Sequence, residues 1–294
     1  MELPLDQVRT LLAVVDEGTF DAAAAALHVT PSAVSQRVKA LEQRTGRVLL
    51  QRTKPVRPTE SGEVLVRFAR QLARLERDAR GELGMSGAGE PTRVPVAVNA
   101  DSLATWFLEA LTGLRHVFVE LRREDEEYTA TLLREGLVMA AVTSSPDPVP
   151  GCSVRALGRM RYLPVAAPEF AAAHLTGPLP DVLAEAPVIV FDRRDDFQDG
   201  FVRRLGRGGA SSLRHYVPTS EGFVDSVTAG LGWGMVPEVQ AEPRLGNGRL
   251  VRLGGPELWA DVPLHWQQWK LDSPALGALA EAVVRTASGA LRQP

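Results

Sequence analysis

Apolar side chains recur every three or four positions at the start of the chain, which is the spacing of an amphipathic helix. Leu5, Val8 and Leu11 form the first such set, and Gly18 predicts where that helix ends. A second, alanine-rich helix is predicted from about residue 20 to residue 27. The chain is therefore predicted to begin with a small helical unit.

A short break at residues 28–30 separates the second helix from a third. Thr30 is a good N-cap, and Pro31 suits the first helical position because its missing N–H would have no partner there. Val34 and Val38 then fall on the inner face of the third helix. Two helices joined by so short a break predict a helix-turn-helix, the motif that places its second helix in a DNA groove.

A long helix is predicted from Thr59 to about Leu83, and it carries one narrow apolar seam between charged flanks. The seam has the heptad intervals 3, 4, 3 and 4, at Leu65, Phe68, Leu72, Leu75 and Ala79. A single helix cannot bury such a seam, so the pattern predicts a partner helix, most simply from a second copy of the chain. Residues 84–91 are typical of a flexible linker.

From Thr92 onward, predicted strands alternate with predicted helices. Residues 93–98, 116–121 and 138–144 are strand-like, and helical patterns lie between them. A similar rhythm returns after residue 186. This alternation predicts an α/β domain built on a mostly parallel sheet with helices on its faces.

Composition narrows the class of protein. A chain of 294 residues favours two or three folded units. The net charge is −3, yet residues 34–57 hold seven basic side chains against Glu42 alone, as a phosphate-contacting surface requires. Glu2 and Asp6 stand where a signal peptide would be basic, and no apolar run is long enough to span a membrane. We therefore expect a cytoplasmic protein with no membrane segment.

The chemistry of the third helix and of the segment that follows it points to DNA. Ser32, Ser35, Gln36 and Lys39 lie on its outward face, where glutamine can pair with adenine and serine with bases or backbone. A small predicted wing after it supplies arginines that attract phosphate. The predicted DNA-binding residues are Thr30, Pro31, Ser32, Ser35, Gln36, Lys39, Arg52 and Arg57. A three-helix packing unit with a solvated polar face remains the alternative.

Long segments of the chain resemble a known family. "GTFDAAAAALHVTPSAVSQRVKALEQRTGRVLLQR", followed by "PTESG", is similar to the N-terminal domain of LysR-type transcriptional regulators. "NADSLATWF", "RREDEEYTATLLREGLVMAAVTS", "LGRMRYLPVA", "GLGWGMVPE" and "WQQWKLDSPAL" resemble the ArgP/LysG branch, whose members sense lysine or arginine and control export of basic amino acids. Departures such as Thr45 before Gly46, or Glu109 where relatives often have proline, lie outside the predicted reading helix.

The resemblance implies an α+β multi-domain chain. It implies a winged helix-turn-helix at 1–58, a dimerising linker helix at 59–83, a flexible linker at 84–91 and an effector domain at 92–294. The effector domain would have two lobes, as in periplasmic solute-binding proteins. The chain would cross between them near Leu163 and Val262, so that lobe I is about 92–162 plus 263–294 and lobe II about 163–262.

The resemblance also implies the partners. These are double-stranded promoter DNA, a basic amino acid as effector, and further copies of the chain as a homodimer or a dimer of dimers. RNA polymerase is a further candidate partner. Leu65, Phe68, Leu72 and Leu75 are the predicted dimerisation residues.

Ligands of open parallel sheets bind beyond the carboxyl ends of the strands. At predicted strand ends the sequence places a cradle for a carboxylate and several acidic partners for cations, at Asp101, Ser102, Glu124, Asp125, Thr143 and Asp192. Each has a simpler alternative. Asp101 and Ser102 could cap a helix, Glu124 and Asp125 could complement a helix dipole, and Asp192 lies in a mixed charge run typical of a solvated loop.

Other functional classes find little support in the sequence. "GLGWGMVP" follows a helix and opens a strand, the reverse of a dinucleotide-binding turn. The five histidines lack metal-ligand spacing, the single Cys152 argues against a cysteine-rich metal site, and no nucleophile elbow is present. We expect no catalytic activity, metal or cofactor. A solute-binding transport protein is a weaker alternative, because about 90 residues precede the α/β region.

Overall fold

The computed structural model describes residues 3–83, 92–115, 117–124 and 128–293. The N-terminal module begins with three helices, continues with a two-stranded wing and ends in a long helix. Its elements are α1 (Leu5–Glu17), α2 (Phe20–Ala26), α3 (Pro31–Thr45), β1 (Leu50–Gln51), β2 (Arg57–Pro58) and α4 (Glu60–Glu82). The predicted linker at 84–91 lies outside the described residues.

Local signals set the bounds of the short helices. Gly18 ends α1 and Gly46 ends α3 in the left-handed conformation, with φ of 72° and 66°, which glycine adopts without steric cost. The Thr30 hydroxyl accepts a hydrogen bond from the Ala33 N–H at 3.3 Å and so caps α3. The three helices bury a common apolar core that includes Val8, Leu11, Val34, Val38 and Leu41.

The second part of the chain begins with lobe I. In chain order its first elements are β3 (Thr92–Val98), α5 (Ala100–Thr105), α6 (Phe107–Leu111), β4 (Val117–Arg123), α7 (Thr129–Arg134) and β5 (Ala140–Thr143). Strand β3 pairs in parallel with both β4 and β5. This arrangement is the βαβ pattern that the sequence predicts.

Lobe II follows, and the chain then returns to lobe I. The elements are β6 (Cys152–Ala166), α8 (Pro168–His174), α9 (Leu179–Glu185), β7 (Val188–Val190), α10 (Phe197–Arg204), β8 (Arg214–Tyr216), α11 (Ser220–Thr228), β9 (Gly234–Pro237), α12 (Glu238–Gly246), β10 (Val251–Arg252), β11 (Ala260–Trp269) and α13 (Pro274–Ala290). Helix α13 packs against α6 of lobe I. The α+β multi-domain architecture predicted from the sequence is confirmed.

The main sheet is mixed, not mostly parallel. Its strand order is β10-β6-β11-β5-β3-β4, with β9 also on β6, and β11 is antiparallel to both β5 and β6. The reason is connectivity: the chain leaves lobe I along β6 and returns along β11, so the two strands must run in opposite directions. Leu163 and Val262, where crossings are predicted, lie within these strands.

Arginine side chains of the linker helix α4 form hydrogen bonds with lobe I. Arg74 donates to the Arg93 carbonyl at 2.6 Å and Arg67 donates to the Arg134 carbonyl at 3.3 Å. Arg70 donates to the Glu135 carbonyl and, at 2.6 Å, to the Asp16 carboxylate of α1. One side chain therefore joins the helical module, the linker helix and the end of α7.

Among the described residues, no helix combines the length and the apolar composition that crossing a membrane would need.

Candidate functional site

The first candidate site is the outward face of α3. Ser32, Ser35, Gln36 and Lys39 are all exposed, whereas Val34 and Val38 between them are buried. Periodicity alone produces this division, because the buried valines are one helical turn apart and fix which side faces outward. The Ser32 hydroxyl lies 3.0 Å from that of Thr30 at the start of the helix. The face presents hydroxyl, amide and ammonium groups, the set that base edges and phosphates accept.

The wing extends this surface with positive charge. Strand β1 pairs antiparallel with β2, so that Gln51 lies opposite Arg57, and the Val56 N–H of the intervening turn donates to the Gly18 carbonyl at 2.8 Å. Arg52 and Arg57 are exposed, and the Arg52 guanidinium lies 5.6 Å from the centre of the Phe20 ring. Pro31, at the first position of α3, is exposed as well. The predicted DNA-binding residues therefore lie at the surface around the start of α3 and on the wing.

The linker helix presents apolar side chains to solvent. Phe68 is 38% and Leu75 44% exposed, and Leu72 between them is half-buried. Leu65 instead packs against the core of the helical module, while its neighbour Val64 is 53% exposed. The exposed stripe thus includes Val64 in place of Leu65, because Leu65 packs against the chain's own helical module.

The second candidate site is a cleft of about 530 Å³ between the two lobes. Three of the predicted effector residues line it: Asp101 after β3, Glu124 after β4 and Asp192 after β7. Ser102 and Thr143 are fully buried and do not line it. Asp125 lies outside the described residues. The structure therefore brings three of the six predicted side chains to one cavity.

Alternation explains why Ser102 and Thr143 fall away from the cleft. Successive side chains of a strand point to opposite faces, so Ser144 lines the cleft where Thr143 turns inward. The Thr143 hydroxyl accepts a hydrogen bond from the Ser145 N–H at 3.2 Å. On α5 a step of one residue rotates the side chain by about 100°, which sends Ser102 into lobe I when Asp101 faces the cleft.

The wall formed by the crossing strands was missed by sequence reasoning. Tyr162 on β6 donates its hydroxyl to Asp101 at 2.7 Å, and it packs edge-on against Phe197 with ring centres 4.8 Å apart. Asp261 on β11 is held by Arg161 through two hydrogen bonds of 2.8 and 2.9 Å. The predicted crossings at 163 and 262 are their direct neighbours, and that adjacency was the available signal.

Lobe II contributes an ordered acidic loop. The Asp192 carboxylate accepts hydrogen bonds from the backbone N–H groups of Arg194 and Asp195, at 2.7 and 3.1 Å. The Asp195 carboxylate accepts hydrogen bonds from the backbone N–H groups of Phe191 and Phe197, at 2.8 and 2.9 Å. Partial burial pushes the pKa of Asp192 upward, but hydrogen bonds and positive charge from Arg194 outweigh this and hold it below its usual value. The loop thus favours the ionised form of the Asp192 carboxyl group.

Comparison with known proteins shows which family the chain belongs to. Residues 5–63 match the family described as "Bacterial regulatory helix-turn-helix protein, lysR family". Residues 88–288 match the family described as "LysR substrate binding domain". The chain belongs to the LysR family.

Similar LysR-family proteins match over nearly their whole length. A "Lysine export transcriptional regulatory protein LysG" of Corynebacterium efficiens is 46% identical over 96% of this chain and 97% of its own. The crystal structure of ArgP from Mycobacterium tuberculosis is 48% identical, with a TM-score of 0.89 and 98% of each chain covered. LysG of Corynebacterium glutamicum with bound effector Arg is 43% identical, with a TM-score of 0.85, covering 98% of this chain and 99% of that one.

Proposed function

We propose that this protein is a sequence-specific DNA-binding regulator of transcription whose effector is a basic amino acid, arginine or lysine. The charge of the interlobe cleft carries the proposal for the ligand, because carboxylates of both lobes face one cavity at Glu124 and Asp192. Similarity to a LysG that binds Arg supports the same ligand class. The role is regulatory and not catalytic, and its place is the cytoplasm, where promoter DNA lies.

The exposed face of α3 enters the major groove. Gln36 and Ser35 read base edges, Lys39 and Ser32 hold the helix in register, and the wing contacts flanking phosphate through Arg52 and Arg57. A single module of this size reads few base pairs, so two copies on one operator are needed for specificity. The exposed stripe of α4, with Phe68, Leu72 and Leu75 at its centre, supplies the dimer contact, and pairs of dimers form the larger assembly.

The cleft binds the effector by charge. The ammonium or guanidinium groups of the ligand approach the carboxylates of Asp101, Glu124 and Asp192, and the hydroxyl of Ser144 offers a further polar contact. The ligand touches both lobes, so it binds best to one arrangement of them and shifts the population towards it. The regulated gene is one of amino-acid export or metabolism.

Variants of the DNA surface test the first half of the proposal. Gln36→Ala should relax or abolish sequence preference, since glutamine reads bases, and Arg52→Ala should weaken binding to every sequence, since arginine on the wing contacts phosphate. Fluorescence anisotropy with an upstream duplex and a shuffled duplex of equal length separates these effects. Unchanged binding by both variants would refute the assigned surface.

Calorimetric titration tests the second half. Arginine and lysine should bind the full-length protein with measurable heat, and citrulline, the uncharged isostere of arginine, should bind far more weakly. Preference for an uncharged or aromatic acid would instead favour a LysR-family regulator with a different effector. Binding of amino acid by a chain with no affinity for DNA would favour a solute-binding protein.

A further inference from the structure

We infer that Arg194 competes with the cationic group of the ligand for two carboxylates of the cleft and so lowers the apparent affinity of the cleft for cations. The inference rests on the proposed function, because it requires a ligand that carries a positive charge. It assigns to a side chain of the protein the position that the ligand's ammonium or guanidinium group takes when it binds.

The position of the guanidinium group carries this inference. Arg194 lies on the lobe II loop before α10, and its Nη2 atom is 3.4 Å from Oε1 of Glu124 on lobe I and 3.3 Å from Oδ2 of Asp192. Its Cζ atom lies 4.5 Å from the centre of the Tyr128 ring, also on lobe I. Two carboxylates from opposite walls and one aromatic face therefore surround a positive charge, which is how proteins bind a guanidinium ligand.

Three other carboxylates of the cleft, those of Asp101, Asp195 and Asp261, are held by the fold itself. Arg161 binds Asp261 through two hydrogen bonds, the Phe191 and Phe197 amides bind Asp195, and the Tyr162 hydroxyl binds Asp101. Arg161 is only 20% exposed and, like the backbone amides, cannot swing away without a larger rearrangement. An incoming cation gains least by displacing these partners.

Arg194 differs because its side chain can leave. It is 49% exposed, and its backbone N–H keeps its hydrogen bond to Asp192 when the side chain swings into solvent. A ligand cation that takes its place restores the contacts with Glu124 and Asp192, so neither carboxylate loses its positively charged partner. A neutral ligand that displaces Arg194 leaves both carboxylates without that cation. Such a ligand gains nothing by the exchange and leaves Arg194 in place, so the competitor weakens the binding of cations and not that of uncharged ligands.

Removing the competitor should raise the affinity for cationic amino acids. The apparent dissociation constant is the intrinsic one divided by the fraction of molecules with an open site. If Arg194 occupies the site between half and nine-tenths of the time, Arg194→Gln should tighten arginine binding about two- to tenfold. The affinity for citrulline should not rise in parallel.

Removal of any positive charge from an acidic cleft also favours a cation, so a matched control is needed. Arg204→Gln removes the same unit charge from the lining of the same cleft. Arg204 donates to the Trp259 carbonyl at 3.4 Å and lies over the Phe201 ring, and within the described part of the chain it forms no ion pair. Its variant therefore reports the effect of net charge alone.

The experiment is calorimetric titration of the full-length wild type, Arg194→Gln and Arg204→Gln with arginine and with citrulline. A larger gain in arginine affinity for Arg194→Gln than for Arg204→Gln, with a wider arginine-to-citrulline ratio, supports the inference. Equal gains would reduce the effect to net charge and overturn it, and a loss of affinity would make Arg194 a direct ligand contact. If none of the three proteins binds arginine, the proposed effector is wrong, and the inference falls with it.

Discussion

Gly136 lies where α7 of lobe I meets the linker helix, and its replacement by alanine tests that junction. Its φ is +74°, and an added Cβ atom would lie 3.2 Å from Cα of Arg67 and 3.3 Å from Cδ of Arg70. The first neighbour is backbone of α4 and cannot move alone. The second belongs to a side chain that is tied to Asp16 and to the Glu135 carbonyl.

The expected cost of Gly136→Ala has two parts. Holding alanine in the left-handed conformation costs about 1–2 kcal/mol. Moving α7 away from α4 also weakens the hydrogen bonds of Arg67 and Arg70 to the end of that helix. Bonds from charged donors contribute about 1.5–3 kcal/mol each when well buried, and these partly exposed ones together should contribute about 1–2 kcal/mol. The variant should therefore lose about 2–4 kcal/mol in all.

Gly248→Ala is the matched control. Its φ is +75°, and nothing lies within 4 Å of the added Cβ atom, so only the conformational cost applies. Scanning calorimetry should show the larger loss for Gly136→Ala, and hydrogen exchange should show faster exchange confined to α7 and the facing turns of α4. Equal destabilisation by the two variants, with unchanged exchange in α7, would refute the junction as a stabilising contact.

The remaining predictions concern the seam, a buried ion pair and the single cysteine. Phe68→Glu should weaken self-association by about 3 kcal/mol or more, because a two-fold contact loses the ring of both copies; light scattering checks this, with Val239→Glu on lobe II, also an exposed side chain, as the control. Arg214→Gln should destabilise the protein by about 1–3 kcal/mol in thermal unfolding, because it leaves Asp199 charged and only 14% exposed. Burial raises the pKa of Cys152 from 9.0 to about 11, so the unfolded chain releases this proton at lower pH than the native protein does. The free energy of unfolding should therefore fall as the pH rises through that interval. Iodoacetamide at pH 8 should accordingly modify the denatured chain much faster than the native one.

Short-range signals in the sequence were sufficient for the N-terminal module. Thr30 and Pro31 mark the start of α3 because capping depends only on neighbouring residues, and the buried pair Val34 and Val38 determines which side chains face outward. The linker helix follows from its periodicity. Only the inward packing of Leu65 required tertiary structure, since that side chain contacts the core of the helical module.

The cleft was harder to predict because its walls are brought together from distant parts of the chain. Strand ends at Asp101, Glu124 and Asp192 could be read from the sequence, but the choice between Thr143 and Ser144 depends on the exact last residue of a strand. Tyr162 pairs with a residue 61 positions away, and no local pattern encodes that contact. The same holds for Arg194, whose partner Glu124 lies 70 positions earlier.

The proposed function places DNA reading at one end of the chain and the sensing of a cationic amino acid at the other. Its most direct test is an anisotropy titration of full-length protein into its upstream duplex and a random duplex, at physiological salt, with and without arginine. We predict binding to the upstream duplex at least about a thousandfold tighter than to the random one, and a change in that affinity when arginine is added. Equal affinity for both duplexes, unaltered by arginine, would rule out the proposed function.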